Sequence, residues 1–408
     1  MKILISAYSC ETGRGGEGEI GWRMVNALAE QHEVRVITRA NLRPVHEAIF
    51  SEAQKPGGLT FEYFDLPWIF RFYKKGNRFF LIYYYLWQIG VAFLARRMLR
   101  DDPADVLHHL IGGMDWMPSG LAFCRGPFVW GPVGSENTHP LMRRYQPLKT
   151  RMKDRIRVCM RGILRTYEPF TRYTGARADI VLSHTPDTMP RRYADKLRPF
   201  NQTGIADLPS LTRVKINIGR GERLRLVYAG DLKDWKGARM ALEAALAFFE
   251  TGADADLVVV GDGPLRADME AATQAHPNGG QVRFLGKVSM ERLIDELYEG
   301  DVFLYPTFHH GLATIVLQAM LTGLPIICVE GDATGRAVGQ EVGITVLLSE
   351  DEAPSTGIVR AITELAEDES RRQILSHNAR QIALERYSYM RLSRQIEAVY
   401  LVCIESKS

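Results

Sequence analysis

Residues 304–328, LYPTFHHGLATIVLQAMLTGLPIIC, hold the groups in this chain best placed to do chemistry. The run reads as a buried strand, a polar loop with His309 and His310, a helix opening on Gly311 and stopping at Gly323, and a second buried strand. That order puts both histidines and the N–H groups of Leu312, Ala313 and Thr314 at a helix N-terminus, beyond the carboxyl end of a strand. The first amides of a helix have no intrahelical partner and the peptide dipoles add, so such a place suits an anion. In open α/β sheets ligands bind beyond the strand carboxyl ends. An ordinary strand–loop–helix has the same pattern, so its neighbours must decide. One is YAGDLKDWKG, which sets Lys233 and Lys236 just past a strand, where an ammonium can reach phosphate oxygens. Two exposed loop lysines would read the same way.

Glycine-rich turns recur. SCETGRGGEGEIGW places Gly13, Gly15, Gly16 and Gly18 between a strand and a helix. Glycine lets backbone amides approach a charged ligand closely. Gly13–Gly18 spell GxGxxG but not in the proper place, several residues past the strand end, and GxxxxGK[ST] does not occur, which disfavours a dinucleotide oxidoreductase or a P-loop ATPase. Gly261–Pro264 (GDGP) reads as a turn with Pro264 opening a helix. FLGKV, with Lys287 and Val288, offers an apolar loop edge on which a nucleobase could rest.

The elements that must position these groups alternate. Strands are read at 2–7, 33–38, 105–109, 128–130 and 179–183, then from 224 onward between helices. The fold class expected is α/β: two Rossmann-like, doubly wound parallel-sheet domains facing across a cleft. The boundaries are set at 1–203, 204–385 and 386–408, the last a helix returning to the first domain, with the linker in Pro199–Arg220.

Composition bounds the partners. The chain has 408 residues, 46% hydrophobic and 24% charged, and a net charge of +3 gives no reason to expect nucleic acid. Its five scattered cysteines form no CxxC, which fits a reducing cytoplasm, buried thiols and no zinc. Met1–Ala7 leads straight into a strand, so no signal peptide is read. Phe79–Ala95 is uncharged but short for a span and carries Gln88, which argues for a buried or interfacial helix. Residues 143–172 hold ten Lys or Arg against Asp154 and Glu168, with apolar residues at helical spacing. This is a candidate basic amphipathic helix for an anionic inner-membrane surface, or else a solvated helix packed by one face.

In this order the motifs resemble family 4 glycosyltransferases of the GT-B fold. The G-x-L-x-x-x-K-G loop is matched by Gly230, Leu232, Lys236 and Gly237, VGDGP by Val260–Pro264, and F-L-G-x-V by Phe284–Val288. The tail A-M-x-x-G-x-P is matched by Ala319, Met320, Gly323 and Pro325. The opening KILISAY, Gly18–Trp22 and WGPVG at Trp130–Gly134 resemble one polysaccharide-type subgroup. The resemblance implies that Lys236 neutralises a donor diphosphate capped by the amides of Gly311–Thr314, and that Gly16 lies near the transferred sugar. It implies that His108 or His109 faces that sugar. Gly15, Gly230, Lys233, Gly261, Gly263, Lys287 and Val288 then join the donor contacts. The family's two glutamates fall on His310 and Gln318, and its usual arginine on Asp231. Gln318 can still hydrogen-bond a ribose, and a cationic His310 would favour the leaving diphosphate. Asp231 is expected to point away.

The expected function is metal-independent transfer of a sugar from a UDP- or GDP-linked donor, UDP slightly favoured, to a hydroxyl of a glycan or lipid-linked acceptor. Retention, a role in cell-surface polysaccharide or glycoconjugate synthesis, and a cytoplasmic place peripheral to the inner membrane are implied with it. No cofactor is expected. A non-catalytic nucleotide-sugar binder and a GT-B sugar-nucleotide epimerase stand as alternatives.

Overall fold

The structure, a computed structural model, describes the 408 residues other than 14–15, 53–55, 73–78, 136–140, 206–222, 309–310, 332 and 408, with Glu52 as backbone only. Short Val-, Ile- and Leu-rich runs alternate with helices. Strands joined by helical crossovers lie parallel, and both faces of the resulting sheet are covered. Along the chain come β1 (Lys2–Ala7), α1 (Gly16–Ala29), β2 (Glu33–Arg39), α2 (Arg43–Glu52), β3 (Leu59–Phe64), α3 (Phe80–Asp101), β4 (Val106–Ile111) and β5 (Phe128–Val133). Next are α4 (Leu148–Tyr167), α5 (Pro169–Arg177), β6 (Ile180–Ser183) and β7 (Leu197–Pro199). The second run is β8 (Leu224–Ala229), α6 (Ala238–Phe249), β9 (Ala255–Val260), α7 (Arg266–Ala275), β10 (Val282–Gly286), α8 (Met290–Glu299), β11 (Val302–Leu304) and α9 (Thr314–Leu321). It ends with β12 (Ile326–Val329), α10 (Ala333–Val338), β13 (Gly343–Val346), α11 (Pro354–Glu367), α12 (Glu369–Tyr387) and α13 (Tyr389–Glu405).

Two compact units result. One holds Met1–Ser135, Arg155–Gln202 and Tyr389–Ser408, the other Glu136–Asp154 and Thr203–Ser388. The first has a parallel sheet in the order β3-β2-β1-β4-β5-β6-β7, the second in the order β10-β9-β8-β11-β12-β13. Each sheet is built outward from its first strand in both directions, the doubly wound arrangement.

Strand alternation divides the first unit's core. Ile3 and Ile5 of β1 pack on one face with Ile396 and Tyr400 of α13, while Leu4 joins Tyr84 and Trp87 of α3 on the other. Burying each such side chain contributes about 1.5–3 kcal/mol. The uncharged 79–95 stretch is therefore a core helix along α3, where the Gln88 carbonyl oxygen accepts the Gly120 N–H at 2.9 Å. Among the described residues no helix is long and apolar enough to cross a membrane.

Two expectations are corrected here. The basic 143–172 stretch is not one helix: Pro169 lacks an N–H and opens α5, and the Glu168 carboxylate caps it by accepting from the N–H groups of Phe170 and Thr171. The thiols are not all buried, since Cys159 on α4 is exposed while Cys10, Cys124, Cys328 and Cys403 are inside.

Candidate functional site

The second sheet reverses its winding between β8 and β11, and a switch point is where an open α/β sheet leaves room for a ligand. The loop after β8 runs from Gly230 through Lys233 into a short 3-10 turn, Asp234–Lys236, closed by Gly237 at φ 74°. The segment after β11, Tyr305–Phe308, is stitched to that turn. The Phe308 N–H donates to the Trp235 carbonyl at 2.9 Å, and the Thr307 hydroxyl donates to the same oxygen at 3.3 Å. Gly237 permits this approach, because a Cβ there would strike the Pro306 carbonyl.

Those contacts fix Lys236. Its ammonium donates to the Tyr305 hydroxyl at 3.1 Å and lies 4.4 Å from the centre of the Trp235 ring. An ammonium over an indole gains ~0.5–2 kcal/mol, enough to hold a side chain that would otherwise sample many rotamers. Neither aromatic partner was marked from the sequence. Tyr305 ends the strand reading and Trp235 sits between the two lysines, so their positions were the available signal.

Helix α9 starts at Thr314 with Ala313 as N-cap, later than the expected opening on Gly311. Leu312 is drawn into the core, and its carbonyl accepts from the Thr203 hydroxyl at 3.0 Å. Gly311 and Leu312 are thus the approach, and Ala313 and Thr314 the helix entry. The N-cap supplies no side-chain acceptor, and the first turn of α9 carries no acid. Further along α9, the Gln318 amide donates to the Met290 sulfur at 3.4 Å. Met290 opens α8 after the N-cap Ser289, two residues past Val288, so the apolar loop edge lies close in the chain to the residue that meets the glutamine. Lys287 is exposed and Val288 half-buried. His309, His310 and Gly15 lie outside the described residues.

Three other expected donor contacts take different roles. A Cβ on Gly261 would strike the Gly230 carbonyl, and one on Gly263 would lie 2.5 Å from the Leu232 carbonyl. The Leu232 N–H donates to the Asp262 carbonyl and the Leu265 N–H to the Leu232 carbonyl, both at 3.1 Å. These glycines let two loops pack backbone on backbone, bracing Gly230–Lys233 from the protein side. Lys233 pairs with Asp231 at 2.7 Å, so the acid at the family's arginine position is answered locally. Lys236 is the lysine that the fold holds at the switch point.

The first sheet has its switch point between β1 and β4, and there the anion reading is corrected. Helix α1 begins at Gly16, φ 67°, with open space where a Cβ would stand. Its first turn carries Glu17 and Glu19. The Glu19 carboxylate accepts from the Gly13 N–H at 2.7 Å and the Thr12 hydroxyl at 3.0 Å, and pairs with Arg23. A helix N-terminus already met by two carboxylates is no place for a diphosphate. Glu17 accepts from the Gly113 N–H at 3.3 Å. A Cβ on Gly113 would lie 3.6 Å from the His184 ring, and one on Gly134 would lie 2.9 Å from His184 Nε2. Glu17 and His184 therefore converge over two glycines at the strand carboxyl ends. Sequence reading missed His184, whose signal was its place directly after the strand end at Ser183. Below it Asp115, fully buried, accepts from the Ser135 hydroxyl at 2.6 Å and pairs with Arg165 at 2.8 Å.

His108 and His109 are buried in β4 rather than exposed in this opening. Both ring nitrogens of His108 are taken, Nδ1 at 2.5 Å from the Tyr400 hydroxyl and Nε2 at 2.6 Å from the Gly131 carbonyl. The carbonyl can only accept, so Nε2 carries the proton and the tyrosine donates to Nδ1. His109 is buried with Nε2 3.3 Å from the Tyr84 hydroxyl. Burial pushes His108 down to about 3 and His109 down to about 4, so both are neutral. They are core histidines of β4.

Residues 213–382 match the family model "Glycosyl transferases group 1". The chain is 33% identical over 174 residues to the 2-deoxystreptamine glucosyltransferase of Streptomyces kanamyceticus, covering 39% of this chain and 44% of that protein. To the alpha-D-kanosaminyltransferase of the same organism it is 24% identical over 183 residues, covering 45% and 46%. The matched part thus spans under half the length of these relatives. Among solved structures, Anabaena HepE in complex with UDP superposes with a TM-score of 0.59 at 14% identity, covering 98% of this chain and 99% of that one. Residues 213–382 are thus similar to the group 1 glycosyl transferases, and the chain has the GT-B fold.

Proposed function

We propose that this protein moves a sugar from a nucleotide-diphosphate donor to a hydroxyl of a glycan or lipid-linked acceptor, with retained anomeric configuration and without a metal. The observation that carries the reading is Lys236, fixed by Trp235 and Tyr305 on the loop after β8, while the neighbouring strand β11 leads into the acid-free N-terminus of α9. Breaking the sugar–phosphate bond leaves negative charge on the departing diphosphate. A preorganised ammonium and first-turn amides stabilise that charge without reorganising at the moment of reaction. The nucleoside would lie along Lys287, Val288 and Gln318. UDP found with HepE favours a UDP-linked donor. The hydroxyl acceptor, which is neutral, suits the first unit's opening at Glu17 and His184, where carboxylates already occupy the helix end. A lipid-linked acceptor in cell-surface polysaccharide or glycoconjugate synthesis, at the inner face of the plasma membrane, fits the exposed basic helix α4.

A second reading, a nucleotide-sugar binder without turnover, is favoured by one feature: the amide Gln318 stands where the resemblance places a carboxylate. The test is thermal unfolding with UDP, GDP, ADP and their sugar conjugates, followed by assay of sugar release. A ligand at ~100 times its Kd adds about 2.7 kcal/mol to the folded state. One stabilising nucleotide whose effect is lost in Lys236→Ala, with turnover on an acceptor, supports transfer. Stabilisation without turnover on any acceptor supports the binder. No stabilisation by any nucleotide removes both.

A further inference from the structure

Helix α4 faces the wrong way for a helix that only packs. Leu148, Met152, Ile156, Met160, Ile163 and Tyr167 are 52–74% exposed, while Asp154 is buried and Arg165 reaches inward to Asp115. At 3.6 residues per turn the six apolar side chains fall within an arc of about 120°, which also takes in exposed Cys159 and, in the first and last turns, Lys149 and Thr166. The helix carries seven Lys or Arg against Asp154 alone. Exposed Lys153 and Arg157 border the arc on one side and exposed Arg155 on the other. The apolar surface continues beyond the helix. The Tyr85 hydroxyl of α3 donates to Glu168 at 2.7 Å, and its ring lies 6.3 Å from that of Phe170, which is itself exposed. Leu81 and Ile82, one turn before Tyr85 and so on its side of α3, are also exposed.

We infer that α4 lies in the headgroup layer of an anionic bilayer, its apolar arc inserted and its basic borders on the phosphates, with the outer face of α3 as an extension of the contact. A soluble surface rarely leaves so long an apolar stripe uncovered. A basic-flanked stripe matches a surface that is apolar beneath and negative above, which a neutral protein partner is not. The surface would hold a lipid-linked acceptor near the first unit, and in that purpose it rests on the reading above. Its binding to lipid does not.

The test uses the full chain, no donor, and vesicles of phosphatidylcholine with or without about one third phosphatidylglycerol. A polarity-sensitive thiol dye on Cys159, the exposed cysteine, reports insertion. The expected result is at least about tenfold stronger partition to the anionic vesicles, with a blue shift of the dye. Ile156→Glu with Met160→Glu should lose about tenfold in partition and the blue shift. Arg155→Glu with Arg157→Glu should lose the preference for phosphatidylglycerol. Unchanged unfolding midpoints show that both variants fold, and Ile156→Leu should bind as the natural protein does. Equal partition to both vesicles, a dye that stays in water, or a self-association that buries the stripe overturns the inference. Vesicle binding without any nucleotide effect would remove the transferase reading and leave the surface standing.

Discussion

Each unit presents a glycine-rich loop and a helix N-terminus at its sheet's switch point, yet the two places suit opposite chemistry. At α1 the glycines Gly13 and Gly16 face open space, and Glu17 and Glu19 occupy the helix end. In the second unit Gly237, Gly261 and Gly263 are pressed against backbone, Lys236 is clamped on the loop after β8, and α9, after the neighbouring β11, enters with no acid in its first turn. A glycine-rich loop is thus not a statement about phosphate. The charges around the helix end decide what it accepts, and the glycines decide only how close the backbones come.

The comparison can be broken most sharply at the glycines. Gly261→Ala should cost about 3 kcal/mol, because a Cβ meets the Gly230 carbonyl and φ is 126°. Gly13→Ala, with nothing near its Cβ, should cost about 1 kcal/mol from its positive φ alone. Unfolding midpoints decide, and equal costs would mean that the second loop is not braced as described.

Charge comes next. Lys236→Ala should weaken nucleotide binding by about 30-fold, the size of a lost charge-assisted contact of about 2 kcal/mol. Lys233→Ala should change it by no more than a few-fold, since Asp231 already pairs with it. Isothermal titration separates the two, and a larger loss at Lys233 would reverse the assignment.

The buried histidines of β4 give a pH signature confined to the first unit. Their pKa values are held below the unfolded value by burial, so the unfolded chain binds more protons in the acid range. Stability is complete above pH ~6.5 and falls as pH drops toward about 4, by about 1.4 kcal/mol per pH unit for each histidine. His108→Gln should flatten that slope in unfolding followed from pH 7 to 4.5. A catalytic histidine at an open site would leave the slope unchanged.

The smallest effect sharpens the helix comparison itself. Glu19→Gln should cost about 1 kcal/mol through its bonds to Gly13 and Thr12. Together with Glu17→Gln it should let inorganic phosphate raise the unfolding midpoint, which phosphate should not do through α1 in the natural chain.

Much of this was legible in the residues. The alternation of apolar runs with helical segments specifies two parallel sheets, since period and length are local properties. Lys233, Lys236 and the loop before α9 were marked by position, lying just beyond strand ends, and the family resemblance singled out Lys236. The roles of His108 and His109 were not legible. They sit at the end of a buried strand, where a one-residue step turns a side chain from one face to the other, and their partners come from residues 400 and 84. Trp235, Tyr305, Glu17 and His184 were missed for a similar reason: nothing in their local sequence says which distant loop they meet.

The sequence by itself determined the strand and helix periods, the switch-point loops that follow from them, and the basic apolar-striped helix, because each depends on neighbours a few residues apart. Only the tertiary structure decided which lysine is held and which is paired, and which glycines face space and which face a carbonyl. It also decided that the apolar side of α4 points outward. These depend on which strands lie side by side and what each loop then packs against, and contacts between residues far apart along the chain are settled by the whole fold.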